Sequence, residues 1–259
     1  MDSQQFAQAV AGLPLNQTAF FDSIGSTNDV VAEWAAASQT GPALAAAGQQ
    51  TQGRGRDGRR WHTPPGSALA ASLLLPLPTG FDPGALGRLS GLGGLAVCEA
   101  LEALGLQPQI KWPNDVLLNG KKVCGVLAEA HWAGERLQAV LLGIGINLAA
   151  SAVPPAAELN FPATCVEAEV GRPVAAAALL RSLLQHLLAW LPRLADEALL
   201  LAWEARLAYK GQRVQLHSGP ARWDAQLLGL AQDGRLRLRL EDGEERSFQA
   251  GEIRIRPGV

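Results

Sequence analysis

The sequence contains little cysteine, and its few cysteines show no pairing pattern. Cys98, Cys124 and Cys165 are odd in number, and none belongs to a C-x-x-C motif or a cysteine–histidine cluster. The four histidines are also scattered without metal-ligand spacing. This pattern argues against a disulfide framework and a zinc site, predicts no metal ligands, and is typical of a reducing cytoplasm.

Long apolar runs and a strong excess of one charge are also missing. No apolar run reaches membrane-spanning length without charge or proline, and residues 1–5 lack the features of a signal peptide. We therefore expect a cytoplasmic protein that does not bind membranes. The net charge of −2 argues against wholesale binding to nucleic acid. The length of 259 residues suits one large domain, or one domain with a small appendage.

Residues 1–208 predict an α+β domain with a mainly antiparallel sheet. Helices are expected after the N-cap signal Ser26-Thr27-Asn28, over 83–104, over 173–191 and from there to about 209. Strands are expected at 43–50 and 67–75, and a meander of strands over 109–147 contains the hairpin signal Asn119-Gly120. Consecutive hairpins argue against a doubly wound parallel sheet.

Residues 209–259 predict a second, smaller domain. Two turns are expected in this segment, at Asp233-Gly234 and Asp242-Gly243. Five short strands are expected over residues 213–217, 222–230, 235–241, 245–249 and 253–256. So many strands in so few residues favour a small β-barrel.

The segment Gly53–Trp61 contains four arginines and three glycines within nine residues. Such a glycine density disfavours helix and strand, so the arginines are expected on a mobile loop. Forked guanidinium groups and free backbone N–H groups suit a phosphate. Taken alone, the segment is equally consistent with a solvated basic loop or a short nucleic-acid patch.

About sixty residues after Gly53, the motif Lys111-Trp112-Pro113-Asn114-Asp115 follows a predicted strand. Pro113 restricts Trp112 to an extended conformation, so the sheet rather than a loop directs the lysine. An ammonium held in this way can stabilise an encounter between a carboxylate and a phosphate. The alternative is an edge-strand lysine that faces solvent.

Glycines recur in two strands of the meander, at Gly125 and in Gly143-Ile144-Gly145-Ile146-Asn147. The second motif is not a dinucleotide-binding fingerprint, because it ends a strand and lacks the third glycine and following helix. Glycine in a strand permits the close approach of a ligand, so we expect a ligand ring beside Gly125. Ordinary core strands with incidental glycines remain the alternative.

Together these motifs resemble those of the biotin protein ligases. The resemblance is strong over residues 20–150 and weak in the C-terminal strands, and it depends on Ser26-Thr27-Asn28, Gln50, Gly53–Trp61, Lys111–Asp115, Lys122-x-x-Gly125-x-Leu127-x-Glu129 and Gly143–Asn147. It implies a catalytic domain related to class II aminoacyl-tRNA synthetases and a Src-homology-3-like barrel. Asp57 stands where many relatives carry a basic or apolar residue, and its negative charge is expected to weaken the loop's positive field.

The resemblance also implies a two-step ligase reaction with ATP, biotin and Mg²⁺. Biotin and ATP form biotinyl-5′-adenylate, and a specific lysine of a biotin carboxyl carrier protein, a subunit of acetyl-CoA carboxylase, then accepts the biotin. Lys111 and Arg56 are the implied catalytic residues, and Trp61 and Asn147 are implied contacts on the adenine side. The full set of implied biotin and adenylate contacts is Ser26, Thr27, Asn28, Gln50, Gly53, Arg54, Gly55, Arg56, Trp61, Lys111, Gly125 and Asn147.

Relatives that double as repressors carry an N-terminal helix-turn-helix domain, whereas 25 residues precede Ser26 here. We therefore expect a ligase of the monofunctional type that does not bind DNA, as a monomer or weak homodimer. Two alternatives stay open: a lipoate- or octanoate-type acyl ligase or transferase of the same fold, and a non-catalytic module that binds nucleic acid.

Overall fold

A computed structural model of the chain describes residues 1–37, 41–75, 82–133, 135–218, 221–249 and 254–257. The larger of its two sheets consists of β1 (Gln17–Phe21), β2 (Ala43–Ala47), β3 (Ala68–Leu75), β4 (Gln109–Lys111), β5 (Asp115–Leu118), β6 (Lys121–Ala133) and β7 (Arg136–Asn147). The strand order is β1-β2-β3-β7-β6-β5-β4. Only the β1–β2 pair among these is parallel, which confirms the mainly antiparallel sheet.

The helices in the described residues are α1 (Ser3–Val10), α2 (Thr27–Ala36), α3 (Gly87–Glu102), α4 (Val166–Val170), α5 (Ala176–Trp190) and α6 (Glu197–Ala205). α3 lies against one face of the sheet, because Gly93 and Gly94 leave room for Val126 and Ile110 respectively. α2 packs on the other face, where Val30 and Val31 join a buried cluster with Leu141. The two faces are therefore covered by different helices.

The predicted elements are present, but several boundaries differ. The strand expected over 43–50 ends at Ala47, and the helix expected over 83–104 begins at Gly87 after a 3₁₀ turn. The helix expected to reach about 209 ends at Ala205. α1 and β1 were not predicted, because the short N-terminal segments carry little periodicity. Asn119 and Gly120 both have positive φ, as the hairpin signal predicts.

The C-terminal strands form a separate antiparallel sheet. It consists of β8 (Arg213–Ser218), β9 (Ala221–Leu230), β10 (Leu236–Leu240), β11 (Glu245–Phe248) and β12 (Arg254–Pro257), in the order β11-β10-β9-β8-β12. Residue 253 of the predicted last strand lies outside the described residues. Five strands are confirmed, whereas closure into a barrel stays a prediction.

Candidate active site

The sheet register places a lysine and an aspartate in one row with two glycines. Lys111 of β4 pairs with Asp115 of β5, Asp115 pairs with Gly125 of β6, and Gly125 pairs with Gly145 of β7. Directly paired residues of antiparallel strands share a face. The row therefore combines charged side chains with a bare stretch of backbone.

The next row, two residues along the strands, has a different character. Leu127 pairs with Gly143, and Gly143 pairs with Ser72 of β3. A Cβ at Gly143 would lie 2.4 Å from the Asn28 side-chain oxygen, so this glycine makes room for the start of α2. Uncharged polar groups thus lie about 7 Å from the charged row, given the strand rise of about 3.4 Å per residue.

Both rows line one cavity of about 270 Å³. Among the predicted contacts, the cavity brings together Ser26, Thr27, Asn28, Gln50, Arg54, Gly55, Arg56, Trp61, Lys111, Gly125 and Asn147. Gly53 lies outside this lining, in an adjoining surface groove. Its Cβ would lie 2.5 Å from the Trp61 carbonyl oxygen, so glycine is needed there for the loop to fold back.

The glycine–arginine loop has more internal structure than the sequence predicts. Trp61 N donates to Gly53 O at 2.9 Å and Gly55 N donates to Arg59 O at 2.7 Å, around a 3₁₀ turn at Arg56–Gly58. Asp57 takes φ 57° in this turn, a conformation that aspartate tolerates better than most residues. Asp57 therefore helps to shape the turn, and it lies 3.5 Å from Arg59 as an exposed pair.

Two ammonium groups share the carboxylate of Asp115. Lys122 Nζ lies 2.6 Å from Asp115 Oδ1, and Lys111 Nζ lies 3.6 Å from Oδ2. Burial would raise the pKa of Asp115, but Lys122 and Lys111 together hold this pKa below its ordinary value. The carboxylate stays charged at neutral pH and keeps both ammonium groups at the cavity wall.

Lys111 is 6% exposed and lies 4.6 Å from the centroid of the Phe161 ring. The alternative of a solvent-facing edge lysine is therefore wrong, even though β4 is at the end of the strand order.

Arg56 brings the loop to the same cluster. Its guanidinium donates to Asn114 Oδ1 at 3.2 Å, and Asn114 Nδ2 donates to the carbonyl of Val126 at 2.8 Å. Burial lowers the pKa of Arg56, which Asp57 and Asp115 partly offset. The neighbouring Arg54 pairs with Asp29 and lies 3.3 Å from Glu129 Oε2. The loop is thus fixed to both α2 and β6 through its arginines.

The indole of Trp61 covers the two paired glycines. A Cβ at Gly145 would lie 2.4 Å from the indole, and one at Gly125 would lie 3.1 Å from it. The protein's own ring therefore lies beside Gly125, which still lines the cavity, and contact between Gly125 and a ligand ring stays a prediction. Lys122 Nζ lies 5.4 Å from the centroid of this ring, and the indole N–H is buried without a hydrogen-bond partner.

One side of the cavity, called the polar wall below, consists of Ser26, Thr27, Asn28, Gln50 and Ser72 and begins at the N-terminus of α2. Ser26 caps this helix, as predicted, with its hydroxyl 3.3 Å from the backbone N–H of Asn28. Gln50 Oε1 accepts from the backbone N–H of Thr27 at 2.8 Å. The Thr27 hydroxyl lies 2.6 Å from the hydroxyl of Ser72, and Ser72 in turn donates to Asn28 Oδ1. All of these groups are uncharged, and all but the partly buried Gln50 are buried.

Several site residues were not predicted as contacts. Ser72 is fully buried in an otherwise apolar strand, which is the signal that could have revealed it, because a buried hydroxyl needs a partner. Asp115 and Lys122 belong to the sequence motifs, but neither was predicted as a ligand contact. Asn147, a predicted contact, is 4% exposed, and its amide donates to the carbonyl of Thr164 at 3.0 Å.

Within the described ranges, no three histidine, cysteine, aspartate or glutamate side chains cluster in a way that could hold a metal ion. The described helices include none with the length and apolar character needed to span a membrane.

Comparison with known proteins finds relatives for the segment that contains the sequence motifs described above. The model of the biotin/lipoate A/B protein ligase family matches residues 20–147. A biotin–[acetyl-CoA-carboxylase] ligase of Paracoccus denitrificans is 36% identical over 219 residues, which is 80% of this chain and 88% of the relative. The bifunctional ligase/repressor BirA of Bacillus spizizenii is 31% identical over 239 residues, 88% of this chain and 71% of the relative.

A solved structure is similar along almost the whole chain. The biotin protein ligase of Aquifex aeolicus, in complex with biotin and ATP, superposes with a TM-score of 0.80 and is 28% identical. The match covers 94% of this chain and 100% of the other. The chain belongs to the biotin protein ligases, within the biotin/lipoate A/B protein ligase family.

Proposed function

We propose that this ligase activates biotin as biotinyl-5′-adenylate and transfers it to a specific lysine of a biotin carboxyl carrier protein. In the first step a biotin carboxylate oxygen attacks the α-phosphorus of ATP and pyrophosphate leaves. In the second step the lysine amine attacks the acyl carbon and AMP leaves. The observation that carries the proposal is that one cavity combines two kinds of lining. One is a cationic row, here meaning the side chains of Lys111, Lys122 and Arg56 around Asp115, and the other is the uncharged polar wall.

The cationic row suits the first step. Two anions, the carboxylate and the triphosphate, repel each other unless fixed positive charge lies between them. Lys111, Lys122 and Arg56 supply that charge, and Asp115 holds the two lysines in place. We assign Lys111 and Arg56 as catalytic residues, because their charge lies where the new acyl–phosphate bond would form.

The polar wall suits the bicyclic ring of biotin. Its ureido group has two N–H donors and a carbonyl acceptor, and Ser26, Thr27, Gln50 and Asn28 offer both kinds of partner without adding charge. Trp61, spread over Gly125 and Gly145, offers a flat surface on which the adenine can stack. Asn147 is assigned to the adenine side with it.

Magnesium is best assigned as part of the substrate. Mg²⁺ at nucleotide sites is bound largely by phosphates and water with one or two carboxylates. Asp115, the carboxylate at the cationic row, already pairs with two ammonium groups, so the side chains here do not fit a protein-held ion. We expect the ion to arrive on the triphosphate.

The acceptor and the C-terminal sheet complete the proposal. The acceptor lysine belongs to the carboxyl carrier subunit of acetyl-CoA carboxylase, and residues 209–259 form a small Src-homology-3-like barrel beside the catalytic domain. The antiparallel pairing of β8 to β12 supports this assignment, and pairing of β11 with β12 would close the barrel.

Acceptor labelling tests the transfer directly. Purified protein is mixed with ATP, biotin and a carrier domain, and the modified residue is found by mass spectrometry. We expect a single biotinylated lysine that is lost when this lysine of the carrier is changed to arginine. Labelling of the arginine variant at the same rate would contradict specific transfer, and labelling with lipoate but not biotin would favour the acyl-ligase alternative.

A further inference from the structure

The polar wall of the cavity ends on a carboxylate. Ser72 Oγ donates to Asn28 Oδ1, and Asn28 Nδ2 donates to Glu129 Oε2 at 2.5 Å. At the other end, Thr27 Oγ1 lies 2.6 Å from Ser72 Oγ and 3.0 Å from Gln50 Oε1. Two hydroxyls thus lie in a chain between two amide oxygens.

Glu129 determines which way the Asn28 amide faces. An ionised carboxylate only accepts hydrogen bonds, so it selects the NH₂ end of the amide. The reverse orientation would place Asn28 Oδ1 against the negative charge and turn the NH₂ group toward Ser72. With Glu129 charged, Asn28 therefore presents its oxygen to Ser72.

The orientation of Asn28 then decides the direction of both hydroxyl protons. Each hydroxyl has one proton, and the Ser72 hydroxyl donates its proton in the hydrogen bond to Asn28 Oδ1. The 2.6 Å contact between the hydroxyls consequently needs the proton of Thr27, which is then no longer donated across the 3.0 Å contact to Gln50 Oε1. Gln50 Oε1 retains the backbone N–H of Thr27 at 2.8 Å. Thr27 Oγ1, which lines the cavity, is left as an acceptor rather than a donor.

We propose that Glu129 is a positioning residue that, through Asn28 and Ser72, makes the Thr27 hydroxyl an acceptor for an N–H group of the bound ring. This inference rests on the proposed function, in which that group is a ureido N–H of biotin. Glu129 lies outside the cavity lining, and its side chain is 36% exposed. It contacts the lining both through Asn28 and through Arg54, 3.3 Å away, and the Ser72 variant below tests the route through Asn28. A lipoyl ring has no N–H group to donate, so this series of hydrogen bonds favours the binding of biotin over that of lipoate.

Equilibrium binding of biotin without ATP tests the inference. Glu129→Gln keeps the size of the side chain but removes its preference for the NH₂ end of Asn28. We expect the Kd for biotin to rise about tenfold, the upper end of the scale for one neutral hydrogen bond. The rate of pyrophosphate exchange at saturating biotin should change less than about threefold, because the cationic row is intact. Glu33→Gln, on the exposed face of α2, is the matched control and should bind biotin like the parent.

A double-mutant cycle with Ser72→Ala tests whether Glu129 acts through the hydrogen-bonded chain of side chains or only stabilises the fold. If Glu129 acts through Ser72, the double variant should bind biotin within about twofold of the weaker single variant. Independent losses that multiply would overturn the inference, as would a Glu129→Gln variant with the parent's Kd. If the parent itself neither binds biotin nor exchanges pyrophosphate, the proposed function fails, which is a different outcome. Thermal unfolding of each variant shows that the fold is retained.

Discussion

At the scale of single residues, the charged side chains of the site are fixed in position by their neighbours. Lys111 is buried, pairs with Asp115 and lies over Phe161, so its position is set before any substrate binds. The sequence predicted the lysine and its direction from the strand and Pro113. It did not predict the shared carboxylate, because that contact depends on how β5 and β6 pair.

Replacing Lys111 with alanine should remove charge at the reacting carboxylate and α-phosphate. We expect adenylate formation to fall about 10²–10³-fold, the usual effect of losing one preorganised electrostatic contact. Single-turnover formation of adenylate measures this rate. Lys121→Ala, at an exposed neighbouring position, is the control and should retain the parent rate. An equal rate in Lys111→Ala would show that this lysine has only a structural role.

Replacing Arg56 with glycine should weaken closure of the loop over the adenylate more than it weakens binding of biotin. Arg56 links the loop to Asn114, and its loss leaves the reactive intermediate exposed to solvent. We expect an enzyme that makes adenylate but releases it, so that lysines of bystander proteins become labelled. Protease protection of the loop by biotin plus ATP checks closure, with Arg172→Gly as a control outside the cavity. Equal protection in Arg56→Gly, with no released adenylate, would show that Arg56 does not hold the loop closed.

At the scale of elements, the sheet register brings the motifs together. Asp115, Gly125 and Gly145 lie side by side on β5, β6 and β7, and Trp61 returns across the two glycines. The glycines could be recognised in the sequence as places of close approach. Their occupant could not, because only the pairing of β6 with β7 and the fold of the loop bring Trp61 there.

Replacing Gly145 with alanine should displace the indole of Trp61. The added methyl group would lie 2.4 Å from the ring, and such overpacking costs about 1–3 kcal/mol of unfolding free energy. The KM for ATP should rise more than the KM for biotin, since Trp61 is assigned to the adenine. Gly25→Ala, where a methyl group meets nothing within 4 Å, is the control. Unchanged stability and KM values in Gly145→Ala would contradict the assigned position of Trp61.

Acid should remove the stabilisation that Asp115 provides. Lys122 and Lys111 lower the folded-state pKa of this carboxyl below its unfolded value of about 3.9. The contribution is therefore present above about pH 4 and is lost as the pH falls through the folded-state pKa. Urea unfolding at a series of pH values should show Asp115→Asn less stable than the parent by a constant amount between pH 5 and 8. The difference should narrow below about pH 4, and a difference that grows with acid would contradict the pairing.

At the scale of the whole molecule, the turn between β9 and β10 contacts the Lys111–Asp115 motif. Trp112, next to Lys111, donates from its indole to the carbonyl of Gly234 at 3.0 Å, and Trp203 packs against the same glycine. The sequence predicted five C-terminal strands and the turn at Asp233-Gly234. It could not predict that this turn would meet Trp112, since that contact depends on the packing of two separate sheets.

Trp112→Phe should remove the hydrogen bond between the turn after β4 and the turn before β10, and leave the Gly234 carbonyl without this donor. We expect the free energy of unfolding to fall by about 1–3 kcal/mol, measured by urea denaturation. Trp132→Phe is the matched control, because that ring is 45% exposed. Equal stability of Trp112→Phe and the parent would show that the contact contributes nothing to stability.

The most direct test of the account is exchange of labelled pyrophosphate into ATP by the purified protein. The reaction reports adenylate formation alone, without any acceptor protein. We predict exchange that requires biotin, is strongly reduced in Lys111→Ala, and is not supported by lipoate or octanoate. Exchange supported by lipoate instead of biotin, or biotin-dependent exchange that persists unchanged in Lys111→Ala, would contradict the account.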